Sequence, residues 1–378
     1  FELAKKRRSL TIPDVIFEKF GCRVSSGLAA VGIVLGVVGF LGTQFQALGM
    51  LLSGLLDVPV PWAVALGAAV VVFYSAAGGM LASVYTDVIQ GVLMLWTATL
   101  VFFFAVRKGG GVVELFGGLN EISAETLSPW GTIGAVGALS WFLVFAVGAL
   151  GQPHVINKFM MVRDLRVLKY FPLVLAISMA ICSLIWLGIG SVVKKLVLTG
   201  TLSPLGSPDE AAAAFLNTQV PPWLAAVAYV GIVAAIMSTA DSFINIGAAA
   251  LARDLPRSFG RPESGQVLRG RLWSLALVAG ALLFSWLVSG LVAYLGIIAF
   301  SIFAASLTPA LVLGLREKNP SGSAALASIS TGLVLSITLE LFNRLGWLPF
   351  QVSPALLSLA ASFIVFVVCS RLCSNRQE

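Results

Sequence analysis

Between Tyr229 and Asp254 the chain reads YVGIVAAIMSTADSFINIGAAALARD, apolar over a length that spans a bilayer, yet Ser238, Thr239, Asp241, Ser242 and Asn245 sit near its middle. An ionisable side chain at that depth costs roughly 3 kcal/mol or more unless a polar group lies beside it. The spacing is helical: Ala235, Ser238, Thr239 and Ser242 fall at i, i+3, i+4 and i+7 on one face, with Asp241 and Asn245 flanking the stripe. Hydroxyl, carboxylate and carbonyl oxygens are what a hard cation such as sodium takes as ligands. Any one hydroxyl taken alone fits better as a bond back to its own turn or to a neighbouring helix. An aspartate and an asparagine in the same stripe shift the balance toward a site.

The surroundings of this stretch exclude a soluble fold. Hydrophobic residues make up 58% of the 378 residues and charged ones 11%, where a soluble domain carries about 25% charged. Apolar runs are long, rich in Gly and Ala and without strand alternation, so helices rather than a barrel satisfy the backbone in lipid. The chain is an all-α, multi-pass membrane protein. Its net charge of +7 reads as topology rather than as a nucleic-acid surface. Cys22, Cys182, Cys369 and Cys373 show no metal spacing and read as reduced and structural, and His154 has no second His or Cys near it in sequence. Of the acids only Asp87 and Asp241 fall at midplane depth, too few for an enzyme centre, and no organic cofactor or obligate protein partner is implied.

Ten spans can be placed: about Ser26 to Leu51; Trp62 to Tyr74 with Ser75–Gly79, where the Gly pair marks a break; a re-entering third span with Thr86 and Asp87 near its start; Trp130 to Gly151; Phe171 to Val193; Tyr229 to Asp254; Leu272 to Val288; Leu291 to Leu315, interrupted at Thr308 and Pro309; Ser321 to Phe342; and Pro354 to Leu372. Arg107 to Pro129 reads as a long polar loop. A short Ala-rich piece, Pro208 to Gln219, suits a position along the membrane surface. Alternating the spans from an inside start puts roughly 19 of the 24 basic residues on one side, which marks that side and both ends as cytoplasmic. The expected organisation is one transmembrane domain over 1–378: a basic cytoplasmic segment at 1–25, a helical bundle at 26–372 and a tail at 373–378. The sequence opens on Phe1 within a basic segment and without a signal peptide, so an absent amino-terminal part is expected.

Four stretches carry a family resemblance: LTIPDVIFEKFG, YSAAGGMLASVYTDVIQGVLM, GQPHVINKFM and AAIMSTADS. They resemble the sodium/solute symporters, most closely the bacterial sodium/proline symporter branch, over essentially the whole chain. The resemblance implies a leucine-transporter-like core of two inverted five-helix repeats with ion and solute held at broken helices near the midplane. By it, the chain begins at the third core helix and the core here is partial. The resemblance puts half of a sodium site on the Ala235 carbonyl and the Ser238 and Thr239 hydroxyls, the other half belonging to core helix one. A second sodium site, known in some members, would fall on Asp87, Asp241 and Ser242, with Asp241 departing from their serine. Asp87 also suits a cap at the start of its helix. Solute contacts would fall on Phe145, Ala149, Gln152 and Pro153. Proline-type members carry Trp and Tyr at the first two of these positions.

The implied function is sodium-coupled import, across the plasma membrane, of a small organic solute such as proline or another small amino acid. Alternatives are a monocarboxylate or pantothenate-like acid as solute, or a transporter-like fragment or sensor domain without transport. The implied ligands are sodium, as a co-transported ion, the solute and the lipid bilayer, with no nucleic acid.

Overall fold

A computed structural model describes residues 9–122, 127–162, 164–261, 266–288, 290–348 and 352–374. Among these residues there are helices and no strands. Among the described residues, nine helical segments are long and apolar enough to cross a membrane, and Val60–Ser75 adds a shorter apolar one. The count of ten thus stands as nine full-length candidates and one short one.

The segment read as a plain basic stretch contains a helix, α1 (Ile12–Phe20). Its signals are local. The Thr11 hydroxyl accepts the Asp14 N–H, Pro13 sits in the first turn, and Gly21 closes the end at φ 64° with its N–H on the Phe17 carbonyl. Ile12, Val15, Ile16 and Phe20 are buried on the bundle. Asp14, only 4% exposed, accepts from Leu10 N–H (3.0 Å), Arg253 Nη1 (2.7 Å) and Arg257 Nη1 (2.5 Å). A buried carboxylate with a single cation would be costly; two guanidiniums and a backbone donor offset its desolvation.

Helix α2 (Arg23–Leu56) runs through the centre and touches most of the other long helices. Helix α3 (Val60–Lys108) is assigned without interruption through the stretch where a break was expected. It is nevertheless not straight. Tyr74 and Thr86 lie twelve residues apart, which along a straight helix is about 18 Å, yet the Tyr74 phenol donates to the Thr86 hydroxyl. The backbone therefore bends sharply between them, in the part of the sequence that carries Gly78 and Gly79.

The expected loop after Arg107 holds a second surprise, helix α4 (Val112–Ile122), with Leu115 and Leu119 fully buried and the Lys195 ammonium on the Gly109 and Glu114 carbonyls. Then follow α5 (Gly134–Gly148), α6 (Pro153–Met160) and α7 (Phe171–Leu198). The Ala-rich piece is helical as α8 (Ala211–Thr218), but it buries Phe215 and Leu216 against protein and ties Asn217 to the Gly54 carbonyl.

Helix α9 (Pro222–Ala249) carries the polar stripe. It passes through a π-helical turn, Ala250–Asp254, into the short α10 (Leu255–Ser258). Helices α11 (Gln266–Leu287), α12 (Val292–Pro309), α13 (Gly322–Arg344) and α14 (Pro354–Ser374) complete the described chain. The interruption expected at Thr308 and Pro309 takes the form of a second π-helical turn, Ala310–Gly314. None of the four cysteines forms a disulfide.

Two packed cores result. The larger centres on Phe243 of α9, whose ring stacks on Phe303 of α12 at 5.7 Å and tilts against Phe40 of α2 at 4.6 Å. The smaller gathers Leu115, Leu119, Val192, Phe215 and Tyr229 beneath α4 and α8. Where α13 crosses α12, any side chain at Gly332 would run into the Ala305 carbonyl, so the two backbones meet there. Gly332→Val is expected to lower the thermal midpoint in detergent by the equivalent of about 1–3 kcal/mol. Gly296→Ala, with nothing within 4 Å of the added methyl, should leave the midpoint unchanged or raise it.

Candidate functional site

On α9 the Ser238 hydroxyl donates to the Ala235 carbonyl at 3.0 Å and the Thr239 hydroxyl to the same oxygen at 3.1 Å. Back-bonding is thus the arrangement present, and it has a second effect. It gathers one carbonyl and two hydroxyl oxygens at a single point of the helix. Ala235, Ser238 and Thr239 are half-buried, whereas Ala234, Ala240 and Asp241 on the neighbouring faces are buried. One more turn along, Ser242 is buried and its hydroxyl has no partner. Asp241 accepts from Asn245 Nδ2 at 3.0 Å, and the same amide group reaches the Asp241 carbonyl at 3.0 Å.

The second cluster of interest lies where one span divides. Helix α5 ends at Gly148, a 3-10 turn covers Ala149–Gly151, Gln152 is extended, and α6 restarts with Pro153 in its first turn. Proline suits that position because its missing N–H would be unpaired there anyway. Gly151 permits the break to press on α12, since a Cβ at this position would meet the Thr308 hydroxyl, the Thr308 N–H and the Phe303 carbonyl. Gln152 is 2% exposed, and neither Oε1 nor Nε2 finds a hydrogen bond; the Thr308 hydroxyl is likewise buried and unpaired. Phe145 and Ala149 are exposed on the outer side of the break, the Phe145 ring resting 4.8 Å from that of Phe300. Buried polar atoms are paired in more than nine cases in ten, so three orphans at one discontinuity mark a place that expects a ligand or water.

Asp87 does not stand at the start of a helix. It lies inside α3, and its Oδ2 is held by Lys158 Nζ of α6 at 2.6 Å. Its partner is seventy-one positions away, so no local pattern pairs them. Beside this pair a small cavity of about 20 Å³, room for about one water, is lined by Ser83, His154, Asn157, Lys158, Ser242 and Asn245 among others. Ser242 Oγ, Asn157 Oδ1 and His154 Nδ1 are all buried without partners. Of the trio expected for a second cation, Ser242 thus shares a cavity with Lys158, the partner of Asp87, while Asp241 is occupied by its own helix. The nearest cation to the Asp87 carboxylate is an ammonium supplied by the protein.

A broken helix among membrane-length helices, in contact with a second helix that carries a stripe of side-chain and carbonyl oxygens, is a construction that secondary transporter cores use. The chain belongs to the sodium:solute symporter family, whose model matches residues 2–332. Among its relatives are the osmoregulated proline transporter OpuE of Bacillus subtilis, 28% identical over 96% of this chain and 75% of its own length. The sodium/pantothenate symporter of Escherichia coli is 26% identical over 98% of this chain and 76% of its own. A substrate-bound, outward-open sodium-coupled sialic acid symporter superposes with a TM-score of 0.79 at 17% identity, covering 98% of this chain and 78% of that one. The last likeness establishes the shared fold.

The Lys158–Asp87 pair, with side chains 42% and 19% exposed, should be worth only as much as a half-solvated ion pair. Lys158→Met and Asp87→Asn, measured singly and together by thermal unfolding, are expected to couple by about 0.5–1 kcal/mol. Additive effects would show that the two side chains do not pair.

Proposed function

We propose that this protein is a sodium-coupled symporter that imports a small organic solute by alternating access, with proline or another small amino acid as the leading solute class. The observation that carries this proposal is the convergence of the Ala235 carbonyl with the Ser238 and Thr239 hydroxyls, three neutral oxygens of the kind that replace the hydration shell of a monovalent hard cation. Family membership and the names of the relatives support it. In this proposal the chain is one transmembrane domain over 1–378 in the plasma membrane with both ends cytoplasmic, a polarity resting on the bias of basic residues.

Sodium entering from outside takes the Ala235, Ser238 and Thr239 oxygens and favours the outward-open state; solute then settles at the α5–α6 break, and closure and inward opening release both. Gln152 offers a donor and an acceptor in a site without competing water, Pro153 fixes the restart of the helix, and Phe145 and Ala149 set the shape beside them. One positive charge crossing 100 mV releases about 2.3 kcal/mol, enough for roughly fifty-fold accumulation of a neutral solute. Phe145 and Ala149 in place of an indole and a phenol leave a wider, less polar wall, which also suits a pantothenate-like acid or a monocarboxylate. A second ion at Asp87, Asp241 and Ser242 is the less favoured part, because Lys158 already neutralises Asp87.

The test is uptake into proteoliposomes by the protein in its full natural length, across a panel of proline, other amino acids, pantothenate and short monocarboxylates, each with and without sodium. Ser238→Ala with Thr239→Ala is expected to raise the half-saturating sodium concentration about tenfold or more, each lost hydroxyl ligand being worth about 1 kcal/mol. Unchanged sodium dependence would remove the stripe from the mechanism. Gln152→Leu should raise the KM for the accepted solute by about tenfold and leave the sodium requirement unmoved; a normal KM would take the α5–α6 break out of the solute site.

A further inference from the structure

At the bundle end where α1 sits, a cavity of about 240 Å³ opens between the end of α12 and the last turns of α14, lined by Leu313, Arg316, Glu317, Val367, Ser370 and Arg371. The volume is ample for a phosphate with a short organic substituent, since a single water claims about 30 Å³. Two features set this cavity apart from an ordinary basic rim. Among the described residues neither Arg316 nor Arg371 has an ion-pair or hydrogen-bond partner for its guanidinium. A carboxylate in the same lining is half satisfied: Glu317 Oε1 accepts from the Ser370 hydroxyl at 2.7 Å, while Oε2 is buried and unpaired. The Glu317 backbone is pinned from the other side, its carbonyl accepting from Lys19 Nζ at 2.7 Å.

Arginines at a helix C-terminus offset the helix dipole, and on this face they follow the general bias of positive charge. Neither effect calls for a buried carboxylate with a vacant oxygen in the same lining. Two guanidiniums with a carboxylate beside them form a zwitterionic receptor, which fits a phosphate paired with a primary ammonium a few ångströms away. The surroundings point to a lipid. Ile364, Val368 and Leu372 are exposed apolar side chains on α14, the helix that supplies Val367, Ser370 and Arg371 to the cavity, and they are spaced i, i+4 and i+8 on one face.

We propose that this cavity is a headgroup site for phosphatidylethanolamine, with Arg316 and Arg371 on the phosphate, Glu317 Oε2 on the ammonium and the acyl chains along the α14 strip. Basic pockets between helices at the membrane surface bind phospholipid headgroups in this manner. The carboxylate supplies the selectivity. Choline has no N–H to give it, and phosphatidylglycerol brings no cation at all.

The experiment uses the delipidated full chain in detergent, titrated with short-chain phosphatidylethanolamine, phosphatidylcholine or phosphatidylglycerol, with bound lipid counted by native mass spectrometry and thermal unfolding recorded in parallel. Wild-type protein is expected to retain phosphatidylethanolamine about fivefold better than phosphatidylcholine, the scale of one solvent-flanked charge pair. Glu317→Gln, which keeps a partner for Ser370, should erase that preference and bring phosphatidylglycerol to parity or above. Arg316→Ala with Arg371→Ala should weaken all three lipids, and Arg→Lys at both positions should restore part of the loss. Equal retention of the ethanolamine and choline lipids by wild type, or a preference that survives Glu317→Gln, overturns the proposal. Wild type that favours phosphatidylglycerol, or inorganic phosphate that stabilises the protein as well as lipid does, would reduce the site to a simple anion pocket and overturn it equally. Unfolding of each variant in phosphatidylcholine alone separates a lost site from a lost fold.

Discussion

Everything in this molecule answers to one constraint: a hydrogen-bonding group inside hydrocarbon has no water to turn to and must find its partner within the protein. Most of the hydroxyls comply at once by bonding back to their own helix. Ser140 reaches the Val136 carbonyl, Ser183 reaches Met179, Ser301 reaches Ile298 and Ser306 reaches Ile302. A membrane helix can therefore carry many hydroxyls without any of them being functional, and Ser238 and Thr239 obey the same rule in their hydrogen bonds. What distinguishes them is that both converge on one oxygen.

Exceptions to the rule occur in several places, Ser9, Gln46 and Glu317 among them, and one group of them is concentrated. The Gln152 amide, the Thr308 hydroxyl, the Ser242 hydroxyl, the Asn157 carbonyl oxygen and one Asp87 oxygen are buried without partners, and they gather around the divided span and the α3–α6 ion pair. A missing bond of this kind costs about 1–3 kcal/mol. Unmet hydrogen bonds grouped in this way are what the proposed solute and ion sites would complete.

Much of this architecture was legible in the order of residues. Long apolar runs gave the spans, the fourth of which reads as ending at Gly151 where the structure breaks the helix and restarts it as α6, and Gly78 with Gly79 marked the turning point of α3, which the structure realises as a sharp bend rather than a gap. Thr11, Pro13 and Gly21 spelled out the start and stop of α1, yet the basic charges around them drew the eye to topology instead. Helix α4 was hidden for a different reason, because the glycines before it and the polar residues after it resemble a loop, and the burial of Leu115 and Leu119 together with the bonds from Lys195 holds the helix in place. Pairings across space could not be read at all. Nothing near Asp87 announces Lys158, and nothing near Asp14 announces Arg253 and Arg257, since each is fixed by how distant helices meet. The π-helical turn at Ala250–Asp254 belongs with these, whereas Thr308 and Pro309 marked an interruption where the turn at Ala310–Gly314 occurs.

Helix α1 lies over both of those turns. Thr11 and Asp14 grip the tail of α9 through Asp254, Arg253 and Arg257, while Phe20 and Lys19 press on the tail of α12 at Gly314 and Glu317. Two long helices clasped at the same end by a third lose their freedom to slide past one another there. The Lys158–Asp87 pair, which joins α6 to α3, lies outside this clasp, so the contact between those two helices can change without parting the joined ends of α9 and α12.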